Sequence, residues 1–557
     1  MRKVLRLGLP VAGVALLAAL VSEGDVSAAS FIVNSTVDAV DANPGDGICA
    51  TATADCTLRA AVMEANALPG ADTIELPAGT YTVTIPGAGE NAAATGDLDV
   101  TSALAMSGAG SGETVIDAAG LDRAFQTVGF DFSLRINDLT IKNGNAEGED
   151  GGGIFNGSTI ALALDHVAIV HNTATYFGGG VRSNSYTSSL SISNGVFSGN
   201  YADQGGAAIS NPGSATITDS TITGNSARLG AGAIDNNNGV SLHITNSTVQ
   251  GNSGNIGAIF GGSLTIDHTS VIENRSTVGG AIFGGGAISV TQSDLSRNTA
   301  NFGQGGGIYY LGGSADEMGL ELTDSTISDN KAAFEGGGIF AWTPAKVVIT
   351  NSTISGNEAG TSEAAREKEK RGGGVFALFG QLQLTNVTIS GNQADVGGGI
   401  LNNVSNDGVG FIELKNTIVA GNTNGDCSGS IRSAGHNLSS DGTCGLAEPG
   451  DLENAGPKLA PLADNGGPTQ THNLLAESPA IDAADNAACP TMDQRGVGRP
   501  VDGNSDGVAV CDIGAYEAAA GTTPPWPSST PAPRPNPTVS PPAVDLPAAF
   551  PQTGGPR

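Results

Sequence analysis

The middle of the chain repeats itself, and each unit closes on an asparagine. Units reading TITGN (221–225), STISDN (325–330), STISGN (352–357) and VTISGN (387–392) recur. The closing residues are Asn145, Asn172, Asn200, Asn225, Asn252, Asn274, Asn298, Asn330, Asn357, Asn392 and Asn422, spaced 22 to 35 residues apart. A period of this length predicts a solenoid, a propeller or an array. From Asn172 onward, an apolar residue stands eight positions before each asparagine, from Leu164 and Ile192 to Leu384 and Leu414. Ten positions before stands another, small only at Ala215. Alternation with period two predicts a strand with one buried face. An Ile or Val three positions before most of the asparagines is out of phase with these, so a bend separates two short strands. A Gly-Gly element such as Gly336–Ile339 or Gly397–Ile400 then predicts a corner and a third strand. Three strands and three corners per coil describe a parallel β-helix, with coils about 4.8 Å apart. The asparagines then stack as a ladder inside one corner. A leucine-rich repeat lacks its LxxLxL line here, and a propeller needs four strands per ~40 residues.

Composition agrees with a packed repeat rod. Glycine supplies 83 of 557 residues, apolar residues 39% and charged residues only 14%. The formal charge is −31, a surface that repels phosphate backbones and argues against nucleic acid as a partner. At the N-terminus Arg2, Lys3 and Arg6 precede the apolar run 7–21, followed by Ser27, Ala28 and Ala29. That pattern predicts a secretory signal peptide over 1–29, and no other apolar run approaches the ~20 residues of a membrane span. Six cysteines fall in close pairs: Cys49 with Cys56, Cys427 with Cys444, and Cys489 with Cys511. In an exported chain an even count predicts disulfides, and the long stretches between the pairs favour local bridges among 15 possible connectivities.

The repeat style resembles that of right-handed parallel β-helices, including the polymorphic outer-membrane proteins of chlamydiae. That family's FxxN stands at Phe197–Asn200, and its GGA[ILV] at Gly279–Ile282 and Gly285–Ile288. Residues 31–85, with Cys56-Thr57-Leu58-Arg59-Ala60-Ala61, resemble the CSLREA domain, with Ala60 where that motif has Glu. Leu58, Ala61, Val62 and Ala65 at helical spacing predict a short helix capping the first coil. Residues 465–517, with Ser478–Ala483 followed by Ala484, resemble the choice-of-anchor Q domain of exported bacterial proteins. The expected organisation is a signal peptide over 1–29, an N-terminal cap and first coils over 30–120, β-helix repeats over 121–426, a C-terminal module over 427–518, and a Pro-rich disordered tail over 519–557. Twelve of the 26 prolines lie in the last 36 residues, and Phe550-Pro551-Gln552-Thr553-Gly554 resembles a degenerate sortase motif.

Catalytic motifs are sparse. Polygalacturonases carry paired Asp and a Gly-His-Gly, and neither occurs here. His166 and His268 share a repeat position with Asn194, Asp219, Asn246 and Asp324, which marks them as polar corner residues. Gly503-Asn504-Ser505-Asp506-Gly507 matches GxSxG, but its flanks lack the strand and helix of a nucleophile elbow. Asp502, Asn504 and Asp506 match the start of a calcium loop, with Ile513 at the closing position, so calcium is the one cofactor the sequence offers and a plain turn is the competing reading. Asp38, Asp41, Asn43 and Asp46 form a similar, weaker cluster. Thr221 with Thr223, Thr326 with Ser328, Thr353 with Ser355 and Thr388 with Ser390 predict an outward, hydroxyl-rich sheet face suited to polysaccharide, or to solvent alone. The insertion 358–371, with EAAREKEKR, predicts a small charged knob, and Asp316, Glu317 and Glu321 mark a second interruption.

These features predict an exported, cell-surface or secreted structural and adhesive protein contacting polysaccharide or another surface through its lateral faces. The alternative is a β-helix lyase or hydrolase acting on carbohydrate. Three or more carboxylates with an Arg or Lys in one lateral cleft would favour the enzyme.

Overall fold

The computed structural model describes residues 28–519 apart from 130, 158–160, 237–239, 315–316, 362–369 and 404–409. The expected signal peptide, the Pro-rich tail with its sorting-like end, Asp316 and most of the EAAREKEKR knob lie outside the described residues.

Alternation builds the coils. In Ser189–Ser193 the apolar Leu190 and Ile192 point inward and the serines outward. Each strand pairs in parallel with its counterpart one coil on, so Leu162, Leu190, Ala215, Leu242 and Leu264 form one interior column. The described strands form four all-parallel sheets of 15, 15, 9 and 13 strands. In chain order along a coil, the first sheet contains strands such as Ala161–Asp165, the second Ala168–Val170, the third Thr173–Ala174 and the fourth Val181–Ser183. The chain is a right-handed parallel β-helix around one continuous apolar core.

Most coils therefore have four strands, where the sequence pattern predicts three. The additional strand directly follows the ladder asparagine and is two residues long in most coils, as in Tyr201–Ala202 and Lys331–Ala332, but four in Ser253–Ile256 and Arg275–Val278. Its second residue is a buried alanine in Ala174, Ala202, Ala300 and Ala332. Two residues cannot display a period, so an alternation rule passes over them.

Two bends flank the second sheet. The first puts His166, Asn194, Asp219, Asn246, His268 and Asp324 in the left-handed region, with φ between 46° and 53°. Asn and Asp tolerate that region better than most side chains. The second puts the residue before the ladder asparagine there, a glycine at 199, 224, 251, 356, 391 and 421 but His171, Glu273, Arg297 and Asp329 elsewhere.

Behind the second bend the asparagines stack in the interior. Asn200 gives both its backbone N–H (3.0 Å) and its Nδ2 (2.9 Å) to Oδ1 of Asn225. The same double donation runs through Asn172, Asn200, Asn225, Asn252, Asn274, Asn298, Asn330, Asn357, Asn392 and Asn422. Each Nδ2 also reaches a strand carbonyl, such as Ile169 O from Asn200. The first unit departs from the pattern: Gly144, not Asn145, gives its N–H to Asn172 Oδ1, and Asn145 instead opens the two-residue strand Asn145–Ala146. A second column, not legible as a motif, occupies the first bend. Backbone N–H groups of Gly195, Ser220, Ser247, Thr269, Ser293 and Ser325 donate to the hydroxyls of Ser220, Ser247, Thr269, Ser293, Ser325 and Ser352.

The helix Leu58–Ala67 covers the first coil, burying Leu58, Ala61, Val62 and Ala65, and is capped by Thr57, whose Oγ1 accepts from Ala60 N. Its Arg59 is fully buried against Asp38 (2.6 Å) and the carbonyls of Ala93 and Gly96. At the other end, residues 457–517 turn back along the outer face of the second sheet. Thr326 Oγ1 donates to Gln470 O (2.6 Å), Thr353 Oγ1 donates to Gln494 Oε1 (2.6 Å), and Ala515 N donates to Thr388 Oγ1 (3.0 Å).

The six cysteines are bridged within their neighbour pairs. Cys49 bonds to Cys56, Cys427 bonds to Cys444, and Cys489 bonds to Cys511, with Cα separations of 5.1, 4.8 and 6.6 Å. The bridges also pack, which their spacing alone does not foretell. Cys444 is buried with Cys427 in the core of the rod, and Cys511 is buried in the separate apolar cluster of the C-terminal segment, beside Ile513 and Leu474.

Candidate functional site

The hydroxyl face is not the open sheet its sequence predicts. Thr326, Ser328, Thr353, Ser355 and Thr388 are buried because the chain's own C-terminal segment lies on them. Thr221 and Thr223, in earlier coils, remain partly exposed.

The loop around Asp502 uses its carboxylates on its own backbone. Asp502 accepts from Asp506 N (3.1 Å) and Gly507 N (2.8 Å), Asn504 Oδ1 from Asp506 N (2.9 Å), and Asp506 from Val508 N (2.9 Å). In the earlier cluster, Asp38 faces Arg59, while Asp41 accepts from Asn43 N and Ala50 N. Among the described residues no three His, Cys, Asp or Glu side chains gather as a metal would require. Ser505 is exposed on that loop, and no helix follows it among the described residues.

A cluster of acids with an arginine does exist, beneath the N-terminal cap. Arg123 pairs with Asp97 (3.1 Å) and with Glu149, while Asp99 accepts from Ala93 N (3.0 Å). Burial, helped by the charges of neighbouring acids, pushes Asp97 up to about 6 and Asp99 up to about 7. The cluster is closed rather than cleft-like: Asp97, Asp99, Asp122 and Arg123 are all buried. The adjoining cavity beside Asp38 and Arg59 measures about 10 Å³, room for little more than a water. Acids without access cannot flank a glycosidic bond.

The open site lies elsewhere, at the corner from the fourth sheet into the first. Outward residues of the fourth sheet follow the register Phe260, Phe283, Tyr309, Phe340, Phe376. Four of these rings stack nearly parallel, with centroids 4.9, 4.9 and 5.2 Å apart. Phe260 breaks the stack, standing 5.2 Å from Phe283 at 80°. Two neighbouring corners here are short and glycine-rich: Gly262 and Ser263 join Ile259–Gly261 to Leu264–Asp267, and Gly285, Gly286 and Ala287 join Ile282–Gly284 to Ile288–Thr291. The result is a shallow, open groove of about 480 Å³, lined among the described residues by Phe260, Phe283, Leu311 and those glycines and small residues, with no charged side chain.

The floor depends on glycine. A Cβ on Gly286 would meet Gly262 O at 1.8 Å, and one on Gly285 would meet Leu311 O at 2.2 Å. Gly262 has nothing within 4 Å of such an atom, because its missing side chain opens into the groove. Tyr310 supports the floor from inside, donating to Gly286 O at 3.0 Å. The two GGAI motifs therefore differ in role. Gly279–Ile282 precedes a fourth-sheet strand, as in other coils, whereas Gly285–Ile288 forms the groove corner.

No protein-family model and no curated protein matches the chain. Among solved structures, pectate lyase Pel9A aligns at 14% identity over 89% of this chain and 98% of its own, with a TM-score of 0.28. The A-modules of the Azotobacter vinelandii mannuronan C-5 epimerases AlgE6 and AlgE4 align at 16% and 15% identity. They cover 68% and 74% of this chain and 95% and 92% of their own, with TM-scores of 0.31 and 0.27. The fold assignment rests on the four parallel sheets, not on these likenesses.

Proposed function

We propose that this is an exported, cell-surface or secreted rod that holds polysaccharide in the Phe260–Phe283 groove without cleaving it. In this reading the CSLREA-like cap and the choice-of-anchor Q-like module close the two ends of an adhesive β-helix. The observation that carries the reading is an uncharged groove walled by phenylalanine on an otherwise acidic chain. Aromatic walls with a few nearby polar groups suit a sugar, whose ring has apolar faces and polar edges. The buried Asp97–Arg123 cluster offers a polymer no access, which supports contact over catalysis.

The test is a glycan array on the mature chain, with reducing-end release measured on every hit. Binding is expected, with no release of reducing ends or unsaturated products from bound glycans, pectin or alginate, with or without Ca²⁺. Turnover that disappears in Glu317→Ala would overturn the reading in favour of an enzyme.

A further inference from the structure

Building on the glycan-contact reading, we infer that the groove selects neutral sugar chains, seats a pyranose ring on Phe260 and excludes polyuronates. Ring geometry places the seat. From Phe283 to Phe376 the rings stack along the rod, each against the next, so their faces are covered. Phe260 is turned by 80° from that stack, which directs its faces across the rod instead. It is half-buried, and the open space beside Gly262 adjoins it. The negative face of an aromatic ring attracts the C–H bonds of a sugar's apolar face.

Charge decides the class of sugar. Among the described residues no Lys or Arg lines the groove. Glu321 stands opposite Ser289 on the neighbouring first-sheet strand, and Asp235 stands opposite Phe260 on the fourth. Carboxylates flanking the groove repel a uronate, and the formal charge of −31 adds to the repulsion.

The experiment titrates the mature chain calorimetrically with cello-, xylo- and mannohexaose and with hexagalacturonate, at low and high salt. At least one neutral hexaose is expected to bind with an affinity that salt leaves unchanged, while hexagalacturonate does not bind. Phe260→Ala should weaken binding about tenfold. Gly262→Leu, which fills the groove at a position with free space, should abolish it while leaving the melting temperature near that of the parent. Hexagalacturonate binding that is lost in Gly262→Leu would keep the groove as a glycan site and overturn the selectivity. Neutral binding that survives Phe260→Ala with the fold intact would overturn the seat. Absence of binding to all four would overturn both the inference and the reading beneath it.

Discussion

Ser355 and His472 lie 117 positions apart in sequence, yet Ser355 Oγ stands 2.8 Å from His472 Nε2, and both side chains are buried. The other ring nitrogen, Nδ1, lies 2.7 Å from Ala460 O. A carbonyl can only accept, so Nδ1 carries the proton and the neutral ring accepts the serine hydroxyl through Nε2. Burial pushes the His472 pKa below its usual value, in keeping with that neutral state. This pair fastens the C-terminal segment to the hydroxyl face of the rod.

Acid should loosen that fastening. A histidine with a depressed pKa binds fewer protons folded than unfolded, so its contribution is complete above about 6.5 and is lost as the pH falls below it. Hydrogen-exchange protection over residues 457–517, relative to the intrinsic exchange rate at each pH, should fall below about pH 6.5 while the mid-rod strands stay protected. In His472→Leu, which cannot take up a proton, that loss of protection should vanish whatever the overall stability.

The cap should respond in the opposite direction. Burial, then the Asp97 charge, raises Asp99 to about 7, so the folded chain holds a proton that the unfolded chain releases near 4. Stability is therefore lost as the pH rises from about 4 to about 7. Asp97, at about 6, and Asp512, raised to about 8 by burial and by Glu517, act in the same sense. Asp99→Asn keeps an acceptor for Ala93 N and places an amide where Oδ1 has no partner. Denaturation midpoints across pH 5–8 should fall less steeply in Asp99→Asn than in the parent chain.

The interior ladder should be sensitive to a single gap. Asn298→Ala removes the acceptor of both Asn274 donors and the Nδ2 donor to Asn330 Oδ1 and Val271 O, all buried, and leaves only the backbone N–H to Asn330. The expected cost is about 1–3 kcal/mol, read from chemical denaturation. A smaller effect than that of an exposed-face control such as Thr221→Ala would show that the ladder contributes nothing.

Two glycines one coil apart should differ sharply. Gly286→Ala drives a methyl into Gly262 O and should destabilise the corner by about 1–3 kcal/mol. Gly262→Ala enters open space and should change stability by less than about 0.5 kcal/mol. Melting temperatures of the two variants check the shape of the groove floor directly.

The coil was legible because it is written many times over. Leu190 and Ile192 repeat in every unit as period-two partners, and Asn200 belongs to a long run of units with the same ending. Local cysteine pairing was legible too, from spacing, while the burial of Cys444 and Cys511 in two different cores was not. The two-residue strands were not legible, since Tyr201–Ala202 has no period to detect. The fate of Thr353 and Ser355 was legible only in part: alternation places them outward, but their burial depends on Gln494 and His472, more than a hundred residues away. The groove left one trace, the second GGAI at Gly285–Ile288, and no sign that Phe260 would turn out of line.

The asparagine ladder also has a direction. Every member donates toward the C-terminus and accepts from the N-terminal side, and the last donor, Asn422, gives its N–H and Nδ2 to Oδ1 of Asp426. The Asp426 side chain has no N–H to pass on, so the side-chain ladder stops there by chemistry rather than by running out of repeats, while the backbone N–H of Asp426 goes on to Asp441 Oδ2 (2.9 Å). Rod length is thereby separable from rod identity. A unit from one asparagine to the next can be duplicated or deleted in the interior with every ladder donor still matched. Growth of the ladder past Asp426 would first require replacing the carboxylate that terminates it.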